Sequence, residues 1–107
     1  MATQTIVLYK NDLLPKLQVQ LWDSTGAYVD LTNVDSVKLV VGESAADLII
    51  DNKLLVITNA KQGLCHYFWE LGDTATPGEY TAEVYLTYAG KVQTAVVFTL
   101  IILDSLR

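Results

Sequence analysis

Turn-forming residues recur along this chain at short intervals, and this rhythm constrains the fold more than any other feature. Such residues form clusters whose spacing is close to the rhythm of about eight to twelve residues that turns have in all-β sandwiches and barrels. The clusters are Asp23–Gly26, Gly42–Ser44, Asp51–Asn52, Asn59–Gly63, Pro77–Gly78 and Ala89–Gly90. No window of eleven residues carries a sustained helical stripe. The sequence therefore predicts an all-β protein.

The runs between these turns alternate apolar and polar residues, as half-buried strands do. The clearest is Tyr80–Tyr88, whose predicted inward side chains are Tyr80, Ala82, Val84, Leu86 and Tyr88. Other strands are predicted over Thr5–Tyr9, Lys16–Trp22, Ser36–Val41, Leu48–Ile50, Leu54–Ile57, Leu64–Leu71 and Val92–Leu103, with a tight hairpin at Asp51–Lys53. Seven to eight mostly antiparallel strands favour an immunoglobulin-like β-sandwich over a closed barrel. The 107 residues suffice for a single domain, residues 1–107, and are too few for two.

The composition supplies a core and argues against several classes of protein. Hydrophobic residues make up 51% of the chain and charged residues 18%, which excludes a disordered protein. The net charge of −5 argues against a nucleic-acid partner, because phosphate binding needs clustered Lys and Arg. The most apolar run, Ala95–Leu103, has nine residues, whereas a membrane helix needs about twenty. The N-terminus shows no signal peptide, so we expect synthesis in the cytoplasm and no membrane partner.

Residues that could carry catalysis or bind a metal are few. Cys65 and His66 are the single thiol and imidazole, and as neighbours on a predicted strand they point to opposite faces. They therefore cannot form a nucleophile–base pair, and two such residues are too few for a zinc site. Glu70 and Asp73 are close in sequence, but a small sandwich offers little cleft for a pair of catalytic carboxylates. The sequence predicts no enzyme activity, no metal and no cofactor.

The segment Asp73–Tyr80 has the pattern of a tyrosine corner. It places Tyr80 just inside the penultimate predicted strand, after a turn that contains Gly78. Immunoglobulin-like domains bond the hydroxyl of such a tyrosine to backbone a few residues upstream. We therefore expect Asp73, Gly78 and Tyr80 to form a structural corner. The alternative is an ordinary turn followed by a core tyrosine.

Six segments occur in an order that resembles a known family. They are Lys10–Leu17, Trp22–Leu31, Val37–Val41, Gly63–Trp69, Gly72–Tyr80 and Tyr88–Lys91. The series is similar to the N-terminal immunoglobulin-like domain of tailed-phage baseplate upper proteins, and to small stand-alone virion proteins of the same pattern. The resemblance covers nearly the whole chain. It implies a non-catalytic module of the virion that docks onto other virion structural proteins, with its position open between tail, baseplate, connector and head surface.

The mean hydropathy of +0.31 is high for a small monomer and indicates apolar surface that a partner covers. By register with the family pattern, Phe98, Leu100 and Ile102 point inward, which leaves a second apolar set on the same strand facing out. We expect this set, Val97, Ile101 and Leu103, to form an interface in a homo-oligomer or other multi-copy assembly. The alternative is a bulge that turns part of this face into the core.

Three further residues are candidate interface residues. Trp22 lies out of phase with the inward residues of its predicted strand, so it is either an anchor for a partner or folded over the sheet edge. Leu13 and Leu14, in the segment Leu13-Leu14-Pro15, form either a docking corner or a cap on the core.

A second function remains open, a carbohydrate- or receptor-binding adhesion module on the virion surface. A sugar site needs a Tyr or Trp platform beside polar loop residues, whereas an assembly site needs a flat aliphatic face. Val97, Ile101 and Leu103 favour assembly.

Overall fold

The structure is a computed structural model and describes residues 4–14, 16–22 and 25–106. Its strands are β1 (Thr5–Tyr9), β2 (Leu17–Gln20), β3 (Ser36–Ser44), β4 (Asp47–Leu54), β5 (Val56–Asn59), β6 (Leu64–Tyr67), β7 (Gly78–Tyr88) and β8 (Lys91–Leu103). A short 3₁₀ turn, Ala60–Gln62, joins β5 to β6. These described residues contain no α-helix. The predicted all-β class is confirmed.

The eight strands form two sheets. The larger sheet has the order β1-β8-β7-β3-β4, and the smaller sheet has the order β2-β6-β5. All pairs are antiparallel except β1 with β8, so the first and last strands run in the same direction along one edge of the larger sheet. The mostly antiparallel two-sheet arrangement agrees with the sequence prediction.

The hydrophobic core lies between the two sheets. Because successive strand residues point to opposite faces, each strand contributes every second side chain to this layer. From the larger sheet come Val37, Leu39 and Val41, then Tyr80, Ala82, Val84 and Leu86, then Phe98, Leu100 and Ile102. From the smaller sheet come Leu17, Val19, Cys65 and Tyr67. Burial on one face of each sheet leaves the two opposite faces free for other uses.

The predicted hairpin at Asp51–Lys53 is wrong. The strand β4 continues through these residues, and the chain turns instead at Ala45–Ala46, between β3 and β4. The pairing of β3 with β4 shifts register between Leu39 and Val41, and Asn52 takes a positive φ of 55°. Turn-forming residues here make a bulge on an edge strand, a use that their identity alone does not distinguish from a hairpin.

Tyr88 was predicted to face inward and is instead half-exposed. The hairpin of β7 and β8 extends past the end of the core at this point, with Tyr88 paired to Lys91 beside the turn. The alternation of inward and outward side chains continues to the end of β7, but the smaller sheet does not extend far enough to cover Tyr88.

Candidate docking surface

The outer face of the larger sheet carries apolar side chains where β1 lies beside β8. The parallel register places Val7 opposite Ile101 and Tyr9 opposite Leu103. Val97 lies on the same face of β8, four residues before Ile101. We define the apolar stripe as Val7, Tyr9, Val97, Ile101 and Leu103. Four of its members are between 41% and 52% exposed and Ile101 is partly buried, so the stripe is open surface in the isolated chain.

The structure bears on one of the two interpretations of β8, the bulge that turns part of its outer face into the core. Phe98, Leu100 and Ile102 are buried, and the residues between them face out. A bulge is present, since the pairing of β7 with β8 shifts register between Val84 and Tyr85. It precedes the stripe, and the pairing from Val97 to Ile102 is regular. The bulge therefore does not turn Val97, Ile101 or Leu103 into the core.

Leu13 and Leu14 lie in the connection from β1 to β2, shortly after Tyr9, and both are exposed. The Asp12 amide donates to the Tyr9 carbonyl at 2.9 Å, which holds the start of this connection against the end of β1. The connection then crosses to the smaller sheet past Thr74, whose carbonyl accepts from the Asn11 amide at 3.0 Å. Pro15, the third residue of this predicted corner, lies outside the described residues.

Trp22 does not join the stripe. It follows β2 of the smaller sheet and forms an isolated bridge with Tyr28. The two rings contact each other with centroids 4.5 Å apart, and both are about half-exposed. The structure therefore separates Trp22 from Val97, Ile101 and Leu103 and gives it an aromatic neighbour that the sequence did not indicate.

Two members of the stripe, Val7 and Tyr9, were missed by the sequence analysis. The segment Thr5–Tyr9 was predicted as a strand, and its alternation is visible in the sequence. What the sequence lacks is the parallel pairing of this strand with β8, which brings Val7 and Tyr9 beside Ile101 and Leu103.

Acidic residues border the stripe on β7. Glu79 pairs with Ile101 and Glu83 pairs with Val97, and both glutamates are exposed. Between them Thr81 pairs with Thr99. The stripe therefore has a negatively charged neighbour strand along one side.

A cavity of about 400 Å³ opens next to Glu83, at the hairpin of β3 and β4. Glu83 pairs with Val40 of β3, so the cavity continues the outer face of the larger sheet from the acidic border. Its lining includes Val40, Gly42, Glu43, Leu48, Thr81 and Glu83.

The predicted corner residues take two different structural roles. Tyr80 is buried, and its hydroxyl donates to the Thr76 carbonyl at 2.8 Å, which is the contact of a tyrosine corner. A Cβ on Gly78 would lie 3.1 Å from that hydroxyl oxygen, so the glycine leaves room for it. Asp73 contacts neither residue through its carboxylate. It is buried and instead accepts from the Tyr67 hydroxyl at 2.6 Å and from the Glu70 amide at 2.8 Å.

Cys65 and His66 lie on opposite faces of β6. Cys65 is fully buried, and burial raises the pKa of its thiol to about 11. The Nδ1 atom of His66 lies 2.6 Å from the Thr58 hydroxyl on the outer face of the smaller sheet. The thiol and the imidazole therefore do not form a pair.

Within the part of the chain that the structure describes, no three His, Cys, Asp or Glu side chains are grouped so that they could hold a metal ion. No helix in the described ranges is long and apolar enough to span a membrane.

Comparison with known proteins gives a match among solved structures. No protein-family model matches the sequence, and no curated protein matches it. Among solved structures, the chain is similar to the N-terminal domain of phage TP901-1 ORF48, with a TM-score of 0.64. The two share one fold. The match covers 96% of this chain and 90% of that one at 14% sequence identity, so the two-sheet architecture is common to both.

Proposed function

We propose that this chain is a non-catalytic structural protein of a phage virion that docks onto neighbouring virion proteins through the apolar stripe. The stripe is the observation that carries the proposal. A sandwich needs only one apolar face on each sheet, and here β1 and β8 carry apolar residues on both faces. Burying the exposed half of each aliphatic side chain would contribute roughly 1 kcal/mol, enough in sum to drive a specific contact.

The fold supports the same proposal. The order β8-β7-β3-β4 facing β2-β6-β5, with β1 as a parallel edge, supports an immunoglobulin-like domain of the variable type. The similar fold of the N-terminal domain of phage TP901-1 ORF48 agrees with the family resemblance of the sequence. A docking module in the tail, baseplate, connector or head surface would be present in several copies per virion, each on an equivalent site.

The test is the incorporation of variants into virions of the source phage. We expect Ile101→Asp to fold but to be absent from purified particles, because it places a charge in the buried contact. Gln18→Asp adds the same charge on the outer face of the smaller sheet, where Gln18 pairs with His66, and should be incorporated normally. If the wild-type chain is absent from virions, or if Ile101→Asp is incorporated as well as Gln18→Asp, the proposal is wrong.

One observation favours a second function, the carbohydrate- or receptor-binding adhesion module. The exposed rings of Trp22 and Tyr28 lie together beyond Gln20, whose side-chain amide donates to the Gln62 carbonyl at 3.2 Å. An aromatic surface beside polar groups is what a sugar ring stacks on. Titration with a panel of soluble saccharides would test it, since binding should change the fluorescence of exposed Trp22 and be lost in Trp22→Ala.

A further inference from the structure

The acidic border of the apolar stripe restricts which protein can cover it. We infer that the partner is a different protein, whose contact surface is apolar and flanked by Lys or Arg side chains, and not a second copy of this chain. This inference rests on the proposed function, because it names the occupant of the same docking surface.

Glu79 and Glu83 are placed so that a partner on the stripe must meet them. Each pairs directly with a stripe residue, Ile101 or Val97, so its carboxylate lies one strand spacing away from the contact. Among the described residues, neither glutamate is within ion-pair distance of a cation of this chain; the ion pair present there joins Lys53 to Glu70. Lys38 lies on the neighbouring strand β3, diagonal to Glu83 on the same outer face, but is not within ion-pair distance of it. The two negative charges are therefore available to a partner.

Two-fold symmetry makes a second copy a poor fit. In a face-to-face dimer centred on the stripe, β7 of one copy lies over β7 of the other when the axis runs across the strands, and beyond its edge strand β1 when the axis runs along them. The first arrangement brings the glutamates of the two copies together. The second leaves Glu79 and Glu83 beyond the edge strand β1 of the other copy, outside the contact, so the acidic border takes no part in it. The net charge of −5 adds general repulsion between copies.

A partner with basic residues can contact both the apolar stripe and the glutamates beside it. Lys or Arg side chains beside its apolar patch would pair with Glu79 and Glu83 while the patch covers Ile101 and Val97. The cavity of about 400 Å³ extends this complementarity, since it adjoins Glu83 and is also lined by Glu43. Its apolar lining, Val40 and Leu48, suits the aliphatic stem of a long basic side chain whose charged end lies near the carboxylates.

Charge reversal at Glu83 tests this inference in virions. We expect Glu83→Lys to reduce incorporation at least tenfold, and Glu83→Gln to reduce it less, because the neutral amide removes the attraction without adding repulsion. Asp35→Lys is the matched control. It makes the same change of charge at an exposed residue that precedes β3, at the opposite end of the sheet, and should alter incorporation less than twofold. The melting temperature of each purified variant shows that the fold is intact.

A photo-crosslinking side chain at Val97 identifies the occupant in assembled particles. Crosslinking to a different protein, together with the loss caused by Glu83→Lys, supports the inference. Crosslinking to a second copy of this chain overturns it and leaves docking through the stripe intact. Equal incorporation of Glu83→Lys and Asp35→Lys overturns the requirement for a basic partner. If the wild-type chain is absent from virions, the proposed function itself is wrong. This outcome differs from those that overturn only the inference about the partner.

Discussion

Val7 on β1 lies directly opposite Ile101 on β8, and both side chains belong to the outer face of the larger sheet. The two residues are far apart in the sequence and are joined by the parallel pairing of the first and last strands. This pairing brings two short apolar sets together on one face, where Thr99 lies between Val97 and Ile101. The apolar stripe therefore depends on β1 being added to the edge of the larger sheet.

Adjacent residues of β8 should differ sharply in their effect on stability. Phe98 is buried between the sheets, and Phe98→Ala should cost about 3–5 kcal/mol of unfolding free energy, because it opens a cavity in the core. Val97 faces out, and Val97→Ala should cost less than about 1 kcal/mol. Urea denaturation of the two purified variants measures both values. Equal losses would show that the outer face of β8 is part of the core.

The tyrosine corner should contribute a single hydrogen bond. Tyr80→Phe removes the donor to the Thr76 carbonyl and should lower the unfolding free energy by about 1 kcal/mol. Tyr88→Phe, at the half-exposed far end of β7, is the matched control and should leave stability unchanged. Gly78→Ala should also destabilise, since its methyl group would crowd the Tyr80 hydroxyl. A wild-type melting temperature for Tyr80→Phe would contradict a stabilising corner.

The hydrogen bond from Tyr67 to Asp73 should stabilise the fold more than the bond from Tyr80 to Thr76 does, because its acceptor is a buried carboxylate. Tyr67→Phe removes a donor 2.6 Å from Asp73 and should cost about 1.5–3 kcal/mol. Burial and the neighbouring Asp73 raise the pKa of the Tyr67 hydroxyl, so the donor keeps its proton in the folded state. A double-mutant cycle with Asp73→Asn isolates the interaction. Additive losses in that cycle would mean that the two side chains do not stabilise each other.

The buried thiol should make stability depend on alkaline pH. Burial raises the pKa of the Cys65 thiol from 9.0 to about 11, so the unfolded chain loses this proton first. The contribution of Cys65 is complete below pH 9 and is lost as the pH rises towards 11. Over that range, wild type should lose up to about 2–3 kcal/mol more unfolding free energy than Cys65→Ala does. Denaturation curves measured across these pH values give the difference, and parallel pH profiles would rule out the contribution.

Much of the fold could be predicted from local sequence pattern. Alternation in β7 and β8 marks which side chains face the core, because the pleat fixes a period of two wherever one face is buried. Tyr80 and Phe98 are examples, and both are buried as expected. The prediction of a hairpin at Asp51–Lys53 was wrong because Asn52 favours a positive φ equally in a turn and in a bulge. Only the pairing of β4 with β3 selects the bulge.

The candidate docking surface was predictable only in part. Val97, Ile101 and Leu103 could be found because β8 has apolar residues on both faces, which is visible along one strand. Trp22 and its partner Tyr28 lie on another part of the molecule, and no local pattern shows which exposed apolar residues share a face. That grouping depends on strand order, which arises from contacts between distant segments.

The sequence by itself determined the all-β class, the inward residues of the long strands and the excess of apolar side chains on β8, because each follows from local periodicity and turn chemistry. Only the tertiary structure decided that β1 pairs in parallel with β8, that Val7 and Tyr9 complete the stripe, and that Glu79 and Glu83 border it. The physical reason is that register between strands is set by packing of the whole core. A neighbour across a sheet is therefore a property of the folded chain and not of any segment in it.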